Sequence, residues 1–243
     1  MTYDSRGNVT ETRHVAKSGS GLADIVETAS FDTTCTNAKK CNKPNYTIDV
    51  RGKRTDYSYD TTHGGVTKVQ LPAPDGSSPR PEINYGYSQF TGEIRNSAGV
   101  LVSTGDPQYK VTQITTCATA ATCSGTDTTY YFYAPMSGRL RGVIGPDPDG
   151  VGPRQRTAIR NTMSGTKPIA KTEIGTVAGT NLAALNTITP LQMIEYSYDA
   201  SGNKAKEVVS GTSGAVSVAQ YSYDARKRLE CTALRMNPAT WNA

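Results

Sequence analysis

Residues that normally build a hydrophobic core are scarce in this chain. Leu, Ile, Val and Phe together supply 39 of its 243 residues, below the rough one-fifth level that points towards disorder. Compositional disorder also needs a large net charge, and the formal charge here is only +5. No apolar run approaches the roughly eighteen residues of a membrane-spanning helix. Met1-Thr2-Tyr3-Asp4 has none of the basic-then-apolar layout of a secretory leader. Leu and Ala are too sparse and unperiodic for a helical bundle. The only histidines are His14 and His63, which excludes a multi-His metal site. What is plentiful is Thr (33), Gly (23), Ser (19) and Tyr (14). Thr and Tyr favour half-buried pleated surfaces, so the composition describes a β-protein that uses them in place of an aliphatic core.

A repeat organises the chain. Tyr-x-Tyr occurs at Tyr57/Tyr59, Tyr85/Tyr87, Tyr131/Tyr133, Tyr196/Tyr198 and Tyr221/Tyr223, which takes ten of the fourteen tyrosines. In a strand the two members share one face. A turn signal follows. Tyr198-Asp199-Ala200-Ser201-Gly202-Asn203 places Asp at the first turn position and Gly three residues later. Asp caps the turn backbone, and Gly accepts the left-handed conformation that returns the chain as a hairpin. Tyr3, Asp4 and Gly7 repeat the pattern; Asp49 and Gly52 keep it without the adjacent Tyr. Tyr59-Asp60 has one extra residue before Gly64, and Tyr133 to Gly138 is a Pro-led variant that Tyr87 to Gly92 resembles. Tyr223-Asp224 is followed by Lys227 where Gly is expected, so that turn is predicted to be strained or drifted.

Tyr-Asp-x-x-Gly repeated through a Thr- and Gly-rich chain resembles the Rhs/YD-repeat proteins, relatives of the Tc-toxin B/C shell and of the teneurin barrel. The stretches Cys41 to Pro44, Ile144 to Gly150 and Arg228 to Pro238 are similar to bacterial members of that group. The resemblance covers essentially the whole chain. It implies an all-β fold, an array of antiparallel hairpins forming part of a spiralling shell. Residues 1–243 are read as one array segment of a longer chain, with breaks expected near 72–81 and 145–154 and a short helix over Asn181 to Asn186. The first and last strands of such a segment expose unpaired edges, which predicts self-association when it is expressed alone.

Two cysteine pairs share a spacing. Thr33-Thr34-Cys35 is followed after five residues by Cys41, and Thr115-Thr116-Cys117 after five residues by Cys123. Each pair is flanked by strand-like segments. The simplest geometry is a disulfide closing the loop of a hairpin, which favours an oxidising location. Free thiols and a four-thiolate zinc site are the alternatives, although zinc ligands usually stand two to four residues apart. Cys231 is left without a partner in the sequence.

Catalytic chemistry is not visible. His63 reads as a solvated turn residue and His14 as an outward strand position. Gly211-Thr212-Ser213-Gly214 is not a nucleophile elbow and reads as a small loop between strands. Asp147 and Asp149 lie in a Pro- and Gly-rich connector that lacks the further oxygen ligands of a calcium loop. Shells of the resembled family often cleave themselves at an Asp-Pro-x-Gly core, but Asp147-Pro148-Asp149-Gly150 lies mid-array without a second copy, so that role is not carried over. Basic pairs at Arg139/Arg141, Arg154/Arg156/Arg160 and Arg226/Lys227/Arg228 read as solvated strand faces, not as a nucleic-acid footprint.

The expectation is therefore a non-catalytic wall segment of an exported or cell-surface protein. No cofactor is expected. The partners implied by the resemblance are the rest of its own chain and a C-terminal toxin or cargo polypeptide enclosed by it; nucleic acid and a membrane span are not expected. The alternative is a carbohydrate-binding or adhesion module whose tyrosines stack on sugar.

Overall fold

The computed structural model describes residues 1–118, 127–135, 137–148, 156–163 and 169–235. Cys123, Asp149 and Arg154, singled out above, lie outside these residues. The protein is an all-β array of antiparallel hairpins. It divides into two compact units, Met1–Ser88 with Gln113–Asp127, and Gln89–Thr112 with Thr128–Ala243.

In the first unit each strand pairs antiparallel with the next: β1 (Thr2–Tyr3), β2 (Val9–His14), β3 (Ile25–Ser30), β4 (Tyr46–Ile48), β5 (Arg54–Tyr59), β6 (Val66–Gln70) and β7 (Glu82–Phe90). The second unit holds a separate hairpin, β8 (Glu93–Arg95) with β9 (Leu101–Ser103). β10 (Gln108–Cys117) divides its residues between the two units, as β7 does at its last two residues. In the second unit the same sequential pairing runs through β11 (Thr128–Tyr133), β12 (Leu140–Ile144), β13 (Arg156–Met163), β14 (Ile169–Val177), β15 (Thr189–Tyr198), β16 (Lys204–Gly211), β17 (Gly214–Tyr223) and β18 (Leu229–Arg235).

The Pro-rich stretch before Pro81 is a hairpin loop, because β6 and β7 pair across it, Lys68 opposite Asn84 and Gln70 opposite Glu82. Arg80 ties that loop down, donating to the carbonyls of Leu71, Gln70 and Arg54 and to Asp56. β12 and β13 likewise pair across the connection between them.

Apolar burial is concentrated in the second unit, where Ile144, Ala158, Val177, Leu185 and Ile188 form a cluster with Tyr130, Phe132 and Ala184 against it. One short helix supplies the lid of this cluster, α1 (Leu182–Asn186), capped by the Asn181 side chain on the Ala184 amide at 2.9 Å. Leu185 is fully buried, worth roughly 1.5–3 kcal/mol for a side chain of its kind. Gly142 makes the close approach possible. A Cβ there would stand 2.4 Å from the Ile159 carbonyl and 2.6 Å from Leu185 Cδ2.

The basic residues around this cluster are not a solvated face. Arg156 is buried and donates to the Gly145 carbonyl at 3.1 Å. Arg160 binds Glu173 through Nε at 2.7 Å, and Lys171 Nζ lies 3.1 Å from the same carboxylate. Burial would raise the Glu173 carboxyl, but the hydrogen bonds from Lys171 and Arg160 hold it below its usual value. The reason is that α1 lies over that face of the sheet: Ala158 packs with Leu185 and Arg160 also reaches the Asn186 carbonyl, while Thr157 and Ile159, on the other face, stay exposed.

Candidate functional site

The tyrosine-led turns of the repeat gather along one rim of each unit, because antiparallel strands return every second turn to the same end. In the first unit this rim carries the turn after Tyr3, the loop between β3 and β4, and the turn after Tyr59. In the second it carries the turns after Tyr133, Tyr198 and Tyr223. The Asp49–Gly52 turn, between β4 and β5, lies on the opposite rim of the first unit.

The turns share one geometry. At Asp199 the amide donates to Asn203 O at 2.9 Å and Gly202 N donates back to Asp199 O at 3.0 Å. The carboxylate accepts from the amides of Ser201 and Asn203, each at 2.9 Å, and from Asn203 Nδ2 at 2.9 Å. Asp4 makes the corresponding bonds with Arg6 and Asn8, and Asp49 with Arg51 and Lys53. Gly7, Gly52 and Gly202 take φ of +82°, +73° and +84°. This is a three-residue hairpin loop closing on a left-handed residue. Separately, the strand register shifts immediately before Tyr3, Tyr59, Tyr133, Tyr198 and Tyr223, and not in the Asp49 hairpin.

Charge follows from these bonds. The Asn203 side chain and amide hold the Asp199 carboxyl below its usual value, and the Asn8 side chain does so at Asp4. Backbone amides play the same part at Asp49 (Lys53), Asp224 (Arg228) and Asp60 (His63).

The turn at Asp224 is not drifted. Lys227 occupies the glycine position with φ +62°, the one positive φ outside glycine among the described residues. The bonds of the glycine turns are kept, with Lys227 N on Asp224 O at 2.9 Å and Arg226 N and Arg228 N on Oδ1, both 2.9 Å. A further copy went unnoticed in the sequence. Asn96 replaces Asp, its amide oxygen accepts from Ala98 N and Val100 N at 3.0 Å, and Gly99 has φ +75°. The signal was Asn-x-x-Gly without a preceding Tyr.

The second tyrosine of every Tyr-x-Tyr pair makes the same long-range bond. Its hydroxyl donates to a main-chain carbonyl on the preceding strand: Tyr59 to Pro44 (2.9 Å), Tyr87 to Val66 (2.9 Å), Tyr133 to Val111 (2.9 Å), Tyr198 to Ile169 (2.7 Å) and Tyr223 to Lys204 (3.0 Å). Each phenol thus latches its strand to the one before, at the rim where the turn lies. Burial pushes the Tyr59, Tyr87, Tyr133 and Tyr198 hydroxyls above their usual value. Tyr3, on β1, is exposed and reaches only Met1 Sδ at 3.5 Å.

Cys35 and Cys41 are joined by a disulfide with Cα atoms 5.0 Å apart. Cys117 is also disulfide-bonded, and Cys231 is a free, exposed thiol. The Cys35–Cys41 loop clasps the turns on either side. Asn37 Nδ2 donates to Thr61 O at 3.0 Å, and Lys39 and Lys43 reach the carbonyls of Thr62 and Gly64 in the Asp60 turn. From the other side Arg6 donates to the carbonyls of Asp32 and Thr33. Inside the loop Lys40 Nζ binds Asp32 (2.8 Å) and Asn45 Oδ1 (2.7 Å).

His63 is not solvated. Its ring packs on Tyr87 at 4.5 Å between centroids, and Nδ1 accepts the Gly65 amide at 3.0 Å. The partner ring lies in β7, outside the local window from which a turn residue is read. His14 ends β2, exposed. Thr212-Ser213 is a tight connection between the paired Gly211 and Gly214. Among the described residues no group of three or more His, Cys, Asp or Glu side chains is placed to hold a metal ion, and no helix is long and apolar enough to cross a membrane.

No protein-family model matches the chain, and none of the curated proteins does. Among solved structures it is similar to a Tc holotoxin pore of Photorhabdus luminescens, at 15% identity and a TM-score of 0.40 over 90% of this chain. It is also similar to a TcdB2–TccC3 protein lacking its hypervariable C-terminal region, at 13% identity and a TM-score of 0.40, again over 90% of this chain. The matched segment is 10% and 11% of those chains, so this chain spans about a tenth of their length.

Proposed function

We propose that this chain is a non-catalytic wall: a hairpin array within a larger exported protein, separating an enclosed polypeptide of that protein from its surroundings. One observation carries the reading. The turn carboxylates and the second phenol of each tyrosine pair have their hydrogen bonds committed to the protein's own main chain. A carboxylate saturated by two turn amides is poorly placed to act as a base, and a phenol latched to a carbonyl has its proton engaged. Their repetition along one rim serves to hold strand to strand, which is the work of a wall. An oxidising, extracellular or cell-surface setting suits the disulfide clasp on that rim.

Limited proteolysis of the intact parent protein tests this. The polypeptide downstream of the array is expected to resist protease in the unaltered protein. It is expected to be cut rapidly when Asp199→Ala and Asp224→Ala together loosen the wall. Equal cleavage of that polypeptide in both proteins would sink the proposal.

A further inference from the structure

The latches follow a register rule. The β16–β17 ladder pairs Lys206 with Gln220, and continued two residues it puts Lys204, the acceptor, opposite Ser222, the residue before Tyr223. The β14–β15 ladder (Lys171 opposite Glu195) puts Ile169 opposite Ser197, before Tyr198. The β6–β7 ladder (Lys68 opposite Asn84) puts Val66 opposite Gly86, before Tyr87. The β4–β5 ladder (Tyr46 opposite Asp56) puts Pro44 opposite Ser58, before Tyr59. In these four cases the accepting carbonyl faces a small residue that immediately precedes the latching tyrosine. In three of them the acceptor is also the first strand residue after a rim turn or connection, paired across it: Val66 with Tyr59, Ile169 with Met163, Lys204 with Tyr198.

Leu229 occupies that same place. It is the first residue of β18 and pairs with Tyr223 across the Asp224 turn. Among the described residues β18 has a ladder with β17 alone, and its side chains are correspondingly open. Leu229 and Leu234 are 57% and 59% exposed, whereas every residue of β16, flanked on both sides, is half-buried.

We propose that the outer edge of β18 is a strand-binding site with a fixed register, whose occupant is an antiparallel strand of a further repeat ending in Tyr-small-Tyr. The second tyrosine donates to the Leu229 carbonyl, and the small residue stands opposite Leu229. The register then sets Glu230 opposite the first tyrosine and Cys231 opposite the residue before it. The backbone edge supplies affinity and the phenol fixes the register, as in other strand additions to a sheet edge. This inference rests on the array, not on the enclosed cargo. Its failure would leave the wall reading standing, and loss of cargo protection would leave this edge untouched.

The free thiol of Cys231 reads the register directly. Cα atoms facing each other across an antiparallel pair are roughly 4.5–5.5 Å apart, within reach of a disulfide. The probe is a synthetic peptide copying residues 214–228, with cysteine placed singly at the positions of Ala219, Gln220 or Tyr221. It is incubated with the intact chain in a glutathione redox buffer. The Gln220→Cys peptide is expected to cross-link to Cys231 several-fold more than the other two, as shown by mass mapping. A Tyr223→Phe change in that peptide is expected to lower its apparent affinity by roughly 2- to 10-fold, the loss of one neutral hydrogen bond. Equal yields at the three positions, no cross-link at any of them, or an unchanged affinity without the phenol would each overturn the proposal.

Discussion

Replacing Lys227 by glycine should stabilise the β17–β18 hairpin. Lys227 holds φ at +62°, a left-handed conformation that costs a residue with a Cβ roughly 1–2 kcal/mol. At the equivalent Gly7, Gly52 and Gly202 a built Cβ meets no atom within 4 Å, so the cost at this kind of site is intrinsic to the backbone. Glycine removes that strain but gives the unfolded chain more freedom, which returns roughly 0.4–1 kcal/mol. From the middle of each range the net gain is about 0.8 kcal/mol, or roughly 2–3 °C in Tm for a chain of this size. Hydrogen exchange of the β17 and β18 amides reads the local opening, and the urea midpoint reads the whole. The reciprocal change, Gly202→Lys, should lose a similar amount at β15–β16. If Lys227→Gly slowed no exchange and Gly202→Lys accelerated none, the argument from backbone strain would be wrong.

Tyr198→Phe removes a 2.7 Å bond to the Ile169 carbonyl and should cost about 1 kcal/mol, seen as a lower urea midpoint; Tyr3→Phe, on an exposed ring, should change nothing. The turn carboxyls of Asp4, Asp49, Asp199 and Asp224 are all held below their usual value in the folded chain. Their stabilisation is therefore complete above about pH 5 and is lost as pH falls towards the depressed folded values; Asp199→Asn should flatten the fall of the urea midpoint between roughly pH 5 and pH 2. Opening the Cys35–Cys41 bond with a dithiol frees a short loop worth about 2 kcal/mol by chain entropy. Calorimetry should show that loss, and exchange should speed up at the Asp60 turn, which the loop clasps. Gly142→Ala drives a methyl against the Ile159 carbonyl and Leu185, and should displace α1 and lower Tm, where Gly99→Ala at an exposed turn strains only its own backbone.

The hairpin array was legible because its signals are local. Tyr198 and Asp199 stand beside each other, and Gly202 follows within one turn. The latches were not legible. The Tyr223 hydroxyl ends on Lys204 O, and which carbonyl it meets depends on a strand register that no single hairpin specifies. The same holds for His63, whose burial is owed to Tyr87 on β7, in the following hairpin, and for Arg160, which reads as a surface charge until β14 brings Glu173 beside it. Asn96 was missed for another reason: its amide oxygen does the work of a carboxylate, and a search keyed to Asp passes over it. Leu182 to Leu185 announced a helix, but nothing in Gly142 announced the seat made for it.

The latches also decide where such a chain can lengthen. A phenol ties the end of its strand to the start of the one before, away from the connection that joins the two, so the latch forms whether that connection is the two residues between Gly211 and Gly214 or the longer 178–188. That connection lies on the opposite rim and is free in length. It is there that the chain spends its long connections, 15–24 and 71–81 in the first unit and 178–188, with α1, in the second. Length at the latched rim is taken up by chain closed on itself: 31–45 carries its own covalent bond, and 91–107, after the strand of Tyr87, folds as the β8–β9 hairpin. Insertions, tags and grafted epitopes should accordingly be accepted at the unlatched rim, and at the other only when they close on themselves, which makes the spacing of tyrosines a ruler for where this architecture tolerates new sequence.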